Sequence, residues 1–245
     1  MKNGVSKYFI VILLIALIYA CESDESLQPN NPLNGRTTSV FNPSKSYGTV
    51  TDIDGNLYKT IKIGNQIWMA ENLRTTRYRN GDSVPNIIDN DAWANLLSGA
   101  YCNYNNTLSL DTIATYGRLY NYYAGADERG IAPKGWRVPY TSDWDILIEF
   151  LGGDSIAGGK LKEASDQHWV SPNRADNSCG FTAIPSGFRY KNEYFQDEEL
   201  YNSYWALPGF NELSSPFLYL FGWNTNFYRG VNYKVNGYSI RCIKN

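Results

Sequence analysis

Residues 48–63 read Gly-Thr-Val-Thr-Asp-Ile-Asp-Gly-Asn-Leu-Tyr-Lys-Thr-Ile-Lys-Ile, two alternating runs rich in β-branched residues on either side of an Asp54-Gly55 turn. A period of two sends successive side chains to opposite faces, and Asp-Gly supplies the backbone freedom of a tight reversal. The chain must therefore fold back on itself here as an antiparallel hairpin. Gly64-Asn65 turns it again, and Ile67, Trp68 and Met69 are predicted to enter the core. Asp52, Asp54 and Asn56 also copy the opening of a calcium loop, but Ile63 stands where the loop's Glu ligand belongs, so no metal site is expected.

Composition narrows the class. The 245 residues include 22 Lys+Arg against 24 Asp+Glu, a formal net charge of -2. That balance excludes a basic nucleic-acid surface and an acidic disordered tail. Twenty Tyr and seven Trp beside a single His favour strands and aromatic surfaces over histidine chemistry. Asp91–Leu97, stopped by Gly99, predicts a short helix. A longer one is predicted within 139–153, where Trp144, Leu147, Ile148 and Leu151 recur at i, i+3, i+4 and i+7 and Ser142 with Asp145 resembles a capping box. A further short helix is predicted over 159–164. From Gly180 onward the chain reads as short strands at 187–190, 201–206, 217–221, 227–231 and 239–243. Two main helices ahead of a strand-rich, loop-rich second half predict an α+β fold.

The first residues give an address. Lys2 and Lys7 precede an uncharged run from Tyr8 to Ala20, too short to span a bilayer. Residues 1–20 are therefore expected to be a signal peptide. Ile18-Tyr19-Ala20-Cys21 resembles a bacterial lipobox, which makes Cys21 the expected acylated N-terminus of the mature chain, palmitate being a typical acyl group. Glu22–Glu25 resembles an acidic surface-export stretch of Bacteroidota lipoproteins, implying an outer-membrane, surface-exposed position. Residues 21–47 are expected to form the acylated Cys and a flexible tether, because 26–46 hold few large apolar residues. A folded domain is expected over 48–245.

Catalytic patterns are sparse. His168 stands alone in Asp166-Gln-His-Trp169, and Cys102, Cys179 and Cys242 lack metal-ligand spacing. No phosphate loop or dinucleotide fingerprint occurs, so neither catalytic residue nor cofactor is expected. Binding is the remaining class. Trp205, Phe217, Tyr219 and Phe221 are expected to be mostly core, whereas Trp223-Asn-Thr-Asn226 with Tyr228 and Arg229 is polar and turn-like. Trp223, Asn224, Asn226, Tyr228 and Arg229 are therefore the expected ligand-binding edge, with rings stacking on a glycan or protein ligand and polar groups pairing with it.

An ordered series of segments carries a family likeness: Asp52–Gly64, Gln66-Ile-Trp-Met-Ala-Glu-Asn-Leu73, Tyr101–Asn105, Tyr116-Gly-Arg-Leu-Tyr-Asn-Tyr-Tyr-Ala124, Ala132-Pro-Lys-Gly-Trp-Arg-Val-Pro139 with Trp144, Gly180-Phe-Thr-Ala-Ile-Pro-Ser-Gly-Phe-Arg189 and Ser239-Ile-Arg-Cys-Ile243. Together they resemble the Fibrobacter succinogenes major paralogous domain of secreted proteins and lipoproteins, over 48–245. Some of these segments are more distantly similar to formylglycine-generating enzymes and the C-type-lectin-like fold, which implies two helices against small antiparallel sheets. The oxidase chemistry of that branch needs two close cysteines near the C-terminus, and only Cys242 is present there. The family resemblance further implies a Cys102–Cys242 disulfide, with Cys179 left over. The expectation is thus a lipid-anchored envelope protein with a non-catalytic binding domain, a structural or adhesive role being the alternative.

Overall fold

The computed structural model describes residues 1, 31–191 and 194–245. The signal segment past Met1, Cys21 and Glu22–Glu25 lie outside the described residues. Strands β1 (Gly48–Thr51) and β2 (Leu57–Ile63) pair antiparallel with Thr51 opposite Leu57, the hairpin that the alternation predicts. Gly64, at φ 58, turns the chain into β3 (Gln66–Met69). There follow α1 (Asn90–Ala94), β4 (Tyr101–Cys102), α2 (Leu110–Tyr116), β5 (Leu119–Tyr120), α3 (Tyr122–Ala126), β6 (Trp136–Arg137), α4 (Thr141–Phe150) and α5 (Asp154–Leu161). The remainder is all strand: β7 (Ser186–Arg189), β8 (Phe195–Glu198), β9 (Tyr201–Trp205), β10 (Ser214–Phe221), β11 (Tyr228–Tyr233) and β12 (Ile243–Lys244).

These strands form sheets of order β1-β2-β3-β12-β6, β11-β10-β9-β7-β8 and β4-β5. The fold is mostly β, with twelve described strands, five short α-helices and a sheet curled into half a barrel. This corrects the expected α+β, C-type-lectin-like arrangement of two main helices on small sheets. The physical reason lies in strand length. β4, β5 and β6 have two residues each, too few to print an alternation in sequence, whereas the helices advertise caps and periodicity.

Helix α4 forms where its periodicity puts it. Trp144, Leu147 and Ile148, with Leu151 at its C-cap, enter a core cluster shared with Ile61, Ile63 and Trp68 of the first sheet and Tyr204, Leu218 and Leu220 of the second. Burying such side chains contributes roughly 2 kcal/mol each. Its first turn is held by Asp143 rather than by Ser142 and Asp145: the Asp143 carboxylate accepts the Tyr140 N–H at 2.7 Å and pairs with both guanidinium ends of Arg137. The short helix expected over 159–164 begins earlier, at Asp154. No helix among the described residues is long and apolar enough to cross a membrane.

Residues 31–47, assigned above to the flexible tether, instead run along the domain as an ordered strap. Asn31 donates to the Asp54 carbonyl and the Asn56 side chain, the Asn34 side chain accepts the Leu57 N–H, and Leu33 packs on Ile113 and Ala114 of α2. Polar hydrogen bonds, rather than bulk apolar burial, fix this segment, which is why its composition concealed it.

Candidate functional site

Period-two alternation divides the second sheet into two faces. Leu218 and Leu220 of β10 and Tyr204 of β9 point to the α4/α5 core, while Phe217, Tyr219 and Phe221 point to the other side. There the rings form a series: Tyr219 stacks on Phe217 (5.2 Å), Tyr201 (5.3 Å) and Tyr228 (5.0 Å, interplanar 9°), and Phe221 stacks on Trp223 (4.6 Å, 19°). Small residues make room for them. Ser203 sits opposite Tyr219 and Gly230 opposite Phe217. Exposure rises along the series: Phe217 and Tyr201 are buried, Tyr219, Phe221 and Tyr228 half-buried, and Trp223 is 50% exposed.

The loop carrying Trp223 is fixed from beneath. Lys162, fully buried at the end of α5, donates its ammonium to the carbonyls of Phe221 (2.9 Å), Gly222 (2.7 Å) and Asn224 (2.9 Å). No carboxylate is among these partners, and burial pushes its pKa down to about 8. From the other side the Thr225 hydroxyl donates to the Ser155 carbonyl, and the Phe227 N–H donates to the Asp154 carbonyl. Gly158 lets α5 approach this closely, since a Cβ there would stand 2.2 Å from the Asn226 carbonyl oxygen.

Of the expected binding residues, Trp223, Asn224, Asn226 and Tyr228 come together and Arg229 does not join them. The side-chain amides of Asn224 and Asn226 both donate to the Tyr228 hydroxyl, at 3.0 and 3.2 Å, and the Asn224 side-chain oxygen accepts the Asn226 N–H. They orient the tyrosine and leave the Trp223 and Tyr228 rings partly open to solvent. Arg229, one residue along β11, points to the opposite face and bridges Asp145 of α4 and Asp154 of α5. Desolvation opposes its charge, but these two carboxylates outweigh that and raise its pKa. Arg229 and Asp145 line two clefts of about 290 and 370 Å³. Sequence reasoning missed these clefts and Lys162, because nothing in the local pattern reveals that α5 meets β11.

His168 is buried, with Nδ1 2.7 Å from the Glu163 carboxylate and Nε2 2.9 Å from the Thr38 hydroxyl. The order resembles a nucleophile, base and acid. The Thr38 hydroxyl is also 3.1 Å from the Thr115 hydroxyl, while the Glu163 carboxylate accepts the Val40 N–H. The arrangement therefore ties the strap to the domain.

Asp52, Asp54 and Asn56 are likewise engaged. Asp52 accepts the Asp54 and Asn56 N–H groups, the Asn56 amide and the Tyr58 hydroxyl. Asp54 accepts the Thr75 and Thr76 hydroxyls and the Thr76 N–H, so protein donors take the oxygens a calcium ion would need.

The expected disulfide is corrected: Cys102, Cys179 and Cys242 are all free thiols. Cys242 belongs to the core cluster of the aromatic face, and Cys102 lies in a separate cluster with Trp93 and Leu119. Burial raises the Cys102 and Cys179 thiols to about 12 and lifts that of Cys242 further.

The arginines of the quoted motifs are structural too. Arg189 donates to the carbonyls of Ile87, Ile88 and Asp89 ahead of α1, and buried Arg241 donates to the Asn72 side chain and to the Phe181 and Thr182 carbonyls. Arg189 and Arg241 each join distant stretches of chain, whereas Arg137 acts locally, holding the first turn of α4 through Asp143.

The sequence profile of the Fibrobacter succinogenes major domain matches residues 61–244. The chain belongs to this family. The match covers the two five-stranded sheets apart from β1 and the start of β2, and it includes the whole aromatic face. No curated protein and no solved structure matches the chain.

Proposed function

We propose that this member of the Fibrobacter succinogenes major domain family is a non-catalytic binding module, held at the cell surface by an acylated Cys21. Its ligand is a glycan or an extended protein segment that lies along Trp223, Phe221, Tyr228 and Tyr219. The observation that carries the reading is the half-exposed, stacked ring series, clamped by Lys162 and oriented by Asn224 and Asn226. Flat rings held rigid in advance cost little ordering entropy on binding and offer faces to sugar rings or peptide side chains.

A glycan array and a pull-down from envelope extracts, each run beside Trp223→Ala, test the reading and separate the two ligand classes. Retention by one of them that drops at least about tenfold in the variant is the expected result. If neither retains a ligand, the reading fails. Radiolabelled palmitate incorporation that disappears in Cys21→Ala checks the anchor. An oxidase reading is tested by peptide-thiol oxidation with added copper, and turnover abolished by Cys242→Ser would replace the binding proposal.

A further inference from the structure

The ordered strap leaves little free chain between the anchor and the domain. Asn31 already bonds to the β1–β2 turn, so nine residues, or ten peptide steps, lie between it and Cys21. Ten peptide steps reach at most about 35 Å. A domain of this size is roughly 40 Å across. With Cys21 in the bilayer, the surface surrounding Asn31 cannot turn far from it.

That surface has the chemistry of a membrane contact. Leu57, which donates its N–H to the Asn34 side chain, is 45% exposed. Leu110, beside Asn31, Pro32 and Leu33 in a shallow cleft, is 38% exposed, and Leu108 in the preceding turn is 86% exposed. The next loop adds Ile88 at 59%, its carbonyl accepting from Asn106. Solitary exposed leucines need no explanation, but here they gather where the chain leaves for its anchor. Arg118 lines the same cleft, with the Arg74 carbonyl and the Asn103 side-chain oxygen as its acceptors. Asp54 lines the cleft as well, but its carboxylate is engaged by Thr75, Thr76 and Arg77, so a lipid phosphate is a fitting counter-charge for Arg118.

Resting on the anchor reading above, we infer that Leu57, Leu108, Leu110 and Ile88 form a second membrane contact. They seat the domain on the phospholipid surface instead of leaving it suspended above. Apolar side chains entering the headgroup boundary supply the second signal that acylated proteins use for stable attachment.

The test uses the full lipidated chain in phosphatidylethanolamine–phosphatidylglycerol vesicles. An environment-sensitive fluorophore is attached at Leu108→Cys or, as control, at Leu213→Cys, both in a Cys179→Ser background. Both positions are well exposed and accept the change without touching the core. Brominated lipids are expected to quench the probe at 108 at least twofold more than at 213. Flotation with vesicles but equal quenching would overturn the contact and leave the anchor standing. Failure of the unsubstituted chain to float would overturn the anchor reading, and the contact with it.

Discussion

The ring of Phe217 lies across the backbone of Gly230, its partner on β11, so closely that a Cβ on Gly230 would stand 2.4 Å from the ring. The aromatic face depends on this fit, because Phe217 begins the stack that runs through Tyr219 to Tyr228. Gly230→Ala is expected to destabilise the domain by about 1–3 kcal/mol through overpacking. Adding Phe217→Leu should recover part of that loss, so the double variant costs less than the sum of the single ones by denaturant unfolding.

Lys162 carries a pH signature. Its folded pKa of about 8 lies below the ordinary 10.5, so between these values the unfolded chain binds more protons than the folded one. Stability should therefore rise with pH across that window, and below about pH 8 the cost of the buried charge is fully present. The full effect is of the order of 3 kcal/mol. Unfolding midpoints measured from pH 7 to 10.5 check it, and Lys162→Met should remove this rise while loosening residues 221–224 in hydrogen exchange.

The proposed binding edge can be dissected residue by residue. Asn226→Ala, which removes one donor to the Tyr228 hydroxyl, should weaken retention of the ligand by a few-fold, on the order of 1 kcal/mol. Arg229→Ala should leave retention unchanged, since this side chain faces Asp145 and Asp154. A ligand lost with Arg229 would move the site to the opposite face.

The strap should come loose when its buried pin is cut. His168→Ala leaves Glu163 and Thr38 without their shared partner and should cost about 2–3 kcal/mol. Limited proteolysis should then cleave near residues 37–41, where the unsubstituted chain resists.

Thiol chemistry distinguishes the free cysteines from the expected disulfide. Iodoacetamide at about pH 8 should leave Cys102 and Cys242 unmodified in the folded domain and modify both after denaturation without reductant. A requirement for reductant would restore the disulfide.

What could be read from sequence was whatever a contiguous pattern encodes. The Asp54-Gly55 turn, the Trp144-Leu147-Ile148-Leu151 stripe and the β-branched or aromatic runs of β9 and β10 announce themselves within a few residues. The ring edge at 223–228 was legible for the same reason, being an aromatic-Asn cluster in a turn. The class was not, because the strands that make the fold mostly β are short and paired at long range: Ile243 meets Trp68 and Arg137, and neither partner marks the other in sequence. The faces of Tyr228 and Arg229 likewise separate only once β11 has a register. The strap stayed hidden because Asn31, Asn34 and Thr38 hold it through hydrogen bonds to residues far along the chain, which composition does not report.

The place of β12 between β3 and β6 has a consequence for biogenesis. A five-stranded sheet in which Ile243 and Lys244 supply the strand joining β3 to β6 cannot close until those residues have been made and released. Until Ile243 arrives, β3 keeps an open edge and β6 has no partner in that sheet, so neither can be completed by local folding alone.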